Sequence, residues 1–169
     1  MTFGARAWID RWPLTRPFGE VTPRLERYGP HTGIDLGMPS GTPIPALRDG
    51  VVDLDDDDAS YDPLRWQTWS GIAVRYRLPD GASILVAHLS SNLVSVGDTI
   101  RAGEPIGYCG ATGAATGPHL HLEVRDPDGQ LVDPLIYFAQ EADMATLTEE
   151  RIREIAKEET RAVLANEAW

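Results

Sequence analysis

The chain has 169 residues, 42% of them hydrophobic, and a formal net charge of -11. That length fits one domain with a sizeable core, while so acidic a balance excludes nucleic acid as a partner. The single Cys109 rules out an internal disulfide, and no apolar run approaches the ~18 residues a membrane span requires.

In chain order, residues 1–16 hold Trp8 and Trp12 among several arginines and read as an N-terminal lead-in segment that packs on the domain. Pro17, Gly19, Pro23, Gly29 and Pro30 make the next stretch a loop with at most a short strand. His31 to Leu36 reads as a short extended segment closed by Gly37. Ile44 to Leu54 reads as strand, turn at Asp49-Gly50, strand. The acidic run Asp53, Asp55, Asp56, Asp57 and Asp58 lacks the glycine turn and distal glutamate of a calcium loop, so a solvated loop is expected. It leads into an irregular stretch with Tyr61, Trp66 and Trp69, whose indoles either pack or stack on a ligand.

Gly71 to Arg77 and Ala82 to Leu89 flank Pro79-Asp80-Gly81, a hairpin signal that delivers His88 at the end of its second strand. Val94 to Gly103 and Glu104 to Tyr108 predict two more short strands, with Cys109 as a small buried residue in a turn. A strand from His119 to Arg125 and a turn at Asp126-Pro127-Asp128-Gly129 follow. The sum is an α+β chain, mainly β: an antiparallel β-sheet domain plus a C-terminal α-helix. That helix is expected over residues 144–168. Thr146 and Glu149 form a capping box, and Ile152, Ile155, Ala156 and Val163 fall on one stripe. It either docks on the sheet or offers a partner or dimer contact, and it carries the only lysine, Lys157.

The chemistry gathers around Gly117-Pro118-His119-Leu120-His121-Leu122-Glu123-Val124. Side chains alternate along a strand, so His119, His121 and Glu123 share one face while Leu120, Leu122 and Val124 share the other. Only two more histidines exist, His31 and His88, and Asp35 follows His31 by four residues. Two imidazoles and one carboxylate would make a three-ligand zinc centre with a fourth position open, the catalytic rather than the structural pattern. Two histidines would remain for proton work.

His31-x3-Asp35, then Ala87-His88-Leu89-Ser90, then Thr116-Gly117-Pro118-His119-Leu120-His121 resembles the lysostaphin-type (LytM-like) zinc endopeptidase family, which cuts the peptides of bacterial peptidoglycan. Pro17-Phe18-Gly19, Gly41-Thr42-Pro43, Gly97-Asp98, Ala102-Gly103 and Asp133-Pro134 fall in the same order, so the resemblance runs over residues 17 to 138. It implies a metallopeptidase-like β domain over residues 17–140 with a substrate groove. It also implies one zinc ion per chain held by His31, Asp35 and His121, His88 and His119 as the catalytic pair, and a peptidoglycan peptide as substrate. The family often has Tyr two residues before the middle histidine; here it is Val86, which is expected to cost an aromatic wall near the site. Tyr28 could lend a phenol to an oxyanion or simply pack, and Glu123 could orient a ligand histidine from behind.

Two rivals are weighed against this. Gly97-Asp98 and Gly103 resemble the turns of lipoyl and biotinyl carrier domains, but a carrier needs a lysine at a hairpin tip and Lys157 lies in the terminal helix. A non-catalytic binding or activating module of the same fold is the stronger alternative, yet such a module would be expected to lose ligands, and all five polar positions are present. The first ten residues lack the apolar stretch of a secretory signal. The expectation is therefore a protein made in the cytoplasm that reaches the cell wall by another route, as a phage lysin or virion-associated lytic protein does.

Overall fold

The computed structural model describes residues 3–22, 29–56 and 69–146, together with Lys157. In chain order the elements are α1 (Ala5–Ile9), β1 (Leu14–Arg16), β2 (Ile34–Gly37), β3 (Pro43–Pro45), β4 (Gly50–Asp56) and β5 (Ile72–Arg77). Then come β6 (Ser83–Asn92), β7 (Thr99–Ile100), β8 (Pro105–Cys109), β9 (His119–Arg125), β10 (Leu131–Val132) and α2 (Pro134–Thr146). Every strand pairing among these is antiparallel, in the order β1-β2-β9-β6-β5-β4-β7, with β10 on β9 and β8 joining β3 to β6. The expected architecture, mainly antiparallel β with a C-terminal helix, is the one observed.

Alternation explains which face is dry. Ile34 and Leu36 of β2, Leu120, Leu122 and Val124 of β9, and Ile84 and Val86 of β6 are buried to within 1% and form one core. Ile9 of α1 and Phe138 of α2 join it, each 1% exposed. The intervening residues of β2 and β9, Asp35, His119, His121 and Glu123, therefore lie on the opposite face. Burying the core side chains stabilises by about 1.5–3 kcal/mol each, before the entropy of ordering them is counted. β1 extends the sheet past β2, and Thr15 Oγ1 donates to the Asp35 carbonyl at 3.1 Å, so residues 14–16 brace the strand that carries Asp35.

Helix α2 begins ten residues before the helix expected from the tail. Asp133 caps it, its Oδ1 accepting the Leu135 N–H at 2.8 Å, and Pro134 takes the first helical position, where a missing N–H costs nothing. Thr146 is the last residue of α2. Apart from Lys157, the rest of the expected helix, with Glu149, Ile152, Ile155, Ala156 and Val163, lies outside the described residues, as do Tyr28, Asp57, Asp58, Tyr61 and Trp66.

Three expectations are corrected by long-range pairing. The stretch Ile44 to Leu54 is not a hairpin: β3 pairs with β8, and β4 pairs with β5 and β7. Pro43 and Pro45 have no N–H to donate, so Ile44, opposite Gly107, carries the only backbone N–H of β3, whose three residues face Tyr108, Gly107 and Pro105 of β8. The buried Tyr76 hydroxyl then draws the link away, accepting the Leu47 N–H at 2.8 Å. Asp53, Asp55 and Asp56 are not loop but strand. Asp53 bridges Arg75 at 2.8 Å and Arg77 at 3.0 Å, and Asp55 accepts the Val96 N–H at 3.1 Å. Between Val94 and Gly103 only Thr99–Ile100 is strand. The hairpin of β5 and β6 and the turn after β9 form as expected.

Candidate metal centre

β2 and β9 put Asp35 opposite His121 and Gly37 opposite His119, on the face away from the core. His31 reaches the same point from the loop before β2. Its backbone carbonyl accepts the Gly19 N–H at 2.9 Å, and its Nδ1–H donates to the Pro17 carbonyl at 2.9 Å. Because a carbonyl only accepts, that bond fixes the tautomer and leaves the lone pair on Nε2. Gly33 lets this loop lie against β9. A Cβ there would meet the Leu122 carbonyl oxygen, stand 2.8 Å from its carbon, and crowd the His121 ring at 3.1 Å.

Three donor atoms converge as a result. His31 Nε2 is 3.1 Å from Asp35 Oδ1 and 3.1 Å from His121 Nδ1, and His121 Nδ1 is 2.9 Å from Asp35 Oδ1. Zinc bonds of about 2.0–2.2 Å at tetrahedral angles require donor separations of about 3.3 Å, so this triangle is close to the size the ion needs. Two neutral nitrogens and one carboxylate oxygen also suit a borderline divalent cation. Burial pushes the Asp35 carboxyl up, but the His121 and His31 imidazoles beside it outweigh that and hold the group well below the usual carboxylate range. Burial likewise pushes His121 down, and the neighbouring Asp35 and Glu123 carboxylates more than reverse that.

The other two imidazoles stand beside the triangle. His119 Nδ1–H donates to the Gly117 carbonyl at 2.8 Å, and its Nε2 is 3.8 Å from Asp35 Oδ2. The His88 ring lies 4.7 Å from that of His119 and 5.9 Å from that of His121, centroid to centroid. Plain alternation would not bring it there, since Val86 faces the core, paired with Leu122, and a residue two further on should do the same. A bulge intervenes. From Ile72 to Val74 β5 advances two residues while β6 moves three, from Leu89 to Val86. His88 takes φ +62°, the only positive φ of a non-glycine among the described residues, and at this point β6 leaves β9 for β8. The extra residue turns His88 to the polar face and returns Leu89 to the core.

Thr112, which the sequence does not single out, holds that bulge. Its carbonyl accepts His88 Nδ1–H at 2.9 Å, its hydroxyl donates to the Leu89 carbonyl at 2.7 Å, and the same oxygen accepts the Ile72 N–H at 3.0 Å. Gly71, at φ +57°, gives the loop room to approach, because a Cβ would strike Thr112 and Gly113. The Trp69 carbonyl accepts the Ala114 N–H at 3.0 Å and pins the loop from the other side. Burial, then the neighbouring His119 and His121 charges, push the His88 imidazole down to about 4, so it is neutral near pH 7. Val86, where an aromatic wall was expected to be missing, is wholly buried in the core, and no site-facing position is vacated there. Cys109 is buried on the far side of this chemistry, with its thiol directed at the Met38 and Gly110 carbonyls.

Two imidazoles and one carboxylate grouped on an antiparallel sheet are a donor set that could hold a metal ion, the kind catalytic zinc sites use. The chain belongs to peptidase family M23, whose model matches residues 29–134. It is 41% identical over 123 residues to the DD-carboxypeptidase/endopeptidase Mpg of Neisseria meningitidis, covering 72% of this chain and 26% of that protein. It is 34% identical over 131 residues to the murein hydrolase activator EnvC of Escherichia coli, covering 78% of this chain and 28% of EnvC. The chain thus spans about a quarter of these relatives' length. Its fold matches the catalytic domain of the antimicrobial peptidase lysostaphin from Staphylococcus simulans with a TM-score of 0.67 and 26% identity, over 79% of this chain and 97% of that domain.

Proposed function

We propose that this chain is a zinc-dependent endopeptidase acting on the peptide bridges or cross-links of bacterial peptidoglycan. In this reading His31, Asp35 and His121 hold one zinc ion, and His88 and His119 handle protons. The observation that carries it is the donor triangle of 2.9–3.1 Å with two imidazoles beside it. Membership of family M23 and the endopeptidase activity of the Neisseria relative point the same way. A zinc ion at such a triangle supplies Lewis acidity, polarising a scissile carbonyl and making water nucleophilic near neutral pH.

The chain's own groups do the rest. His31 and Asp35 arrive preset, one by the Pro17 carbonyl and the other by the β1 to β2 pairing. The Thr112 and Gly117 carbonyls fix the Nδ1–H forms of His88 and His119, so each imidazole keeps its Nε2 lone pair. One of the pair takes the proton that the attacking water loses. An imidazolium so formed can hydrogen-bond the oxyanion and then return the proton to the leaving amine.

The likeness to EnvC favours a second reading, a module that binds or activates without cutting. Convergence of all five polar side chains speaks for catalysis, since a binding role does not require it. Digestion of purified peptidoglycan, with zinc counted by elemental analysis, separates the two. Hydrolysis predicts one zinc per chain, new peptide ends in the mass spectrum of the soluble products, and loss of both on chelation. Zinc-loaded protein that binds the wall and releases no new ends would select the second reading.

A further inference from the structure

We infer that Thr112 is a positioning residue for proton transfer: its hydroxyl, set between β5 and β6, holds the bulge that turns His88 toward the donor triangle. The inference rests on the proposal that His88 handles a proton. Ile72 and Leu89 face one another across β5 and β6, at the end of the stretch where the register slips. The Thr112 hydroxyl bonds both, accepting the Ile72 N–H at 3.0 Å and donating to the Leu89 carbonyl at 2.7 Å. The direction is forced, because an N–H only donates and a carbonyl only accepts. A side chain from a third segment thus bridges the backbones of two strands where the extra residue of β6 has to be accommodated. Gly110 lets that segment lie on the bulge, since a Cβ there would stand 2.8 Å from the Leu89 carbonyl carbon.

The same residue grips the imidazole through its backbone. Its carbonyl accepts His88 Nδ1–H at 2.9 Å, while the His88 backbone N–H donates to the Ser70 carbonyl at 2.8 Å. His88 holds φ +62°, a conformation that a non-glycine keeps only where its surroundings over-determine it. Valine matches threonine in shape and bonds neither group. Thr112→Val therefore leaves an N–H and a carbonyl without this partner and the bulge without its tie. The residues of the donor triangle are held elsewhere, His31 by the Pro17 carbonyl, and Asp35 and His121 by the pairing of β2 with β9. Loosening Thr112 thus moves His88 and spares the other three.

The test is a double-mutant cycle on defined muropeptides, with parent, Thr112→Val, His88→Ala and the doubly substituted protein compared for kcat, KM and bound zinc. Thr112→Val is expected to lower kcat about 10–100-fold, the scale of a catalytic group displaced by ~1 Å, with KM and zinc content retained. Thr112→Ser, which keeps the hydroxyl, should restore turnover toward the parent value. In the His88→Ala background Thr112→Val should cost no more than about twofold further, because a residue that acts through His88 has nothing left to position. A purely structural role would instead lower the unfolding midpoint and reduce kcat by the same factor in both backgrounds. That additivity, loss of zinc or parent-like kcat in Thr112→Val, or a Thr112→Ser protein as impaired as Thr112→Val, overturns the inference. Should Thr112→Val not fold, Thr112→Ala takes its place under the same criteria, since the space it opens admits a water to the two backbone groups. An inactive parent, or full turnover by His88→Ala, overturns the reading of His88 as a proton carrier and the inference with it.

Discussion

Asp35 and His121 occupy opposed positions on β2 and β9, with Oδ1 2.9 Å from Nδ1, although 86 residues separate them in the chain. An ordinary backbone pairing thus makes one edge of the donor triangle, and His31 supplies the third corner from a loop. Asp35→Ala and His121→Ala should each abolish zinc retention, with affinity down by more than about 100-fold, because removing a ligand costs more than removing its supporter. Elemental analysis of dialysed protein reads the outcome, and full zinc content in either variant would refute the triangle as the binding site.

His119 and His88 flank that triangle without being part of it. His119→Ala and His88→Ala should keep one zinc per chain and lose about 10²–10⁴-fold in turnover on defined muropeptides, the range for a general acid or base. Digestion at the parent rate by His119→Ala would remove it from the proton chemistry.

Gly33 is where the His31 loop touches β9. Gly33→Ala should cost about 1–3 kcal/mol of stability, as overpacking typically does, because its Cβ would stand 2.8 Å from the Leu122 carbonyl carbon. It should also weaken zinc binding by displacing the His121 ring. Urea denaturation of the metal-free protein measures the first effect, and an unchanged midpoint would show that the loop can move aside.

Cys109 is fully buried, and burial pushes its thiol up to about 11 from an ordinary 9.0. In the pH range between those values the unfolded chain releases a proton that the folded chain retains. Stability is therefore whole below about pH 9 and declines as pH climbs toward 11. Cys109→Ala should flatten that part of the stability profile. A thiol reagent at pH 8 should label the native protein slowly and the urea-unfolded protein at once, and fast native labelling would contradict the burial.

Where the determining pattern is local, the residues announce the structure. Alternation in His119-Leu120-His121-Leu122-Glu123-Val124 sorts polar from apolar faces without reference to any partner, and Pro79-Asp80-Gly81 marks the hairpin of β5 and β6. The Asp133-Pro134 start of α2 was equally local, and its capping meaning was present in the residues though the helix was expected further on. Strand pairing is different. Nothing within Ile44 to Leu54 records that β3 belongs to β8, and the charges of Asp53 and Asp55 conceal strand because their partners, Arg75, Arg77 and Val96, lie 22 to 41 residues away.

By itself the sequence determined the chemical inventory: four imidazoles, Asp35, and a strand that faces two of those rings the same way. A side chain's direction on a regular strand follows from backbone geometry alone, so that much needs no tertiary structure. Only the folded chain decided where His88 points. A bulge exists relative to the strands beside it, and here it arises where β6 exchanges β9 for β8 and Thr112 grips the turned residue from a distant loop. No periodicity in residues 82–92 encodes that exchange, because the energy that selects it lies in bonds to other parts of the chain.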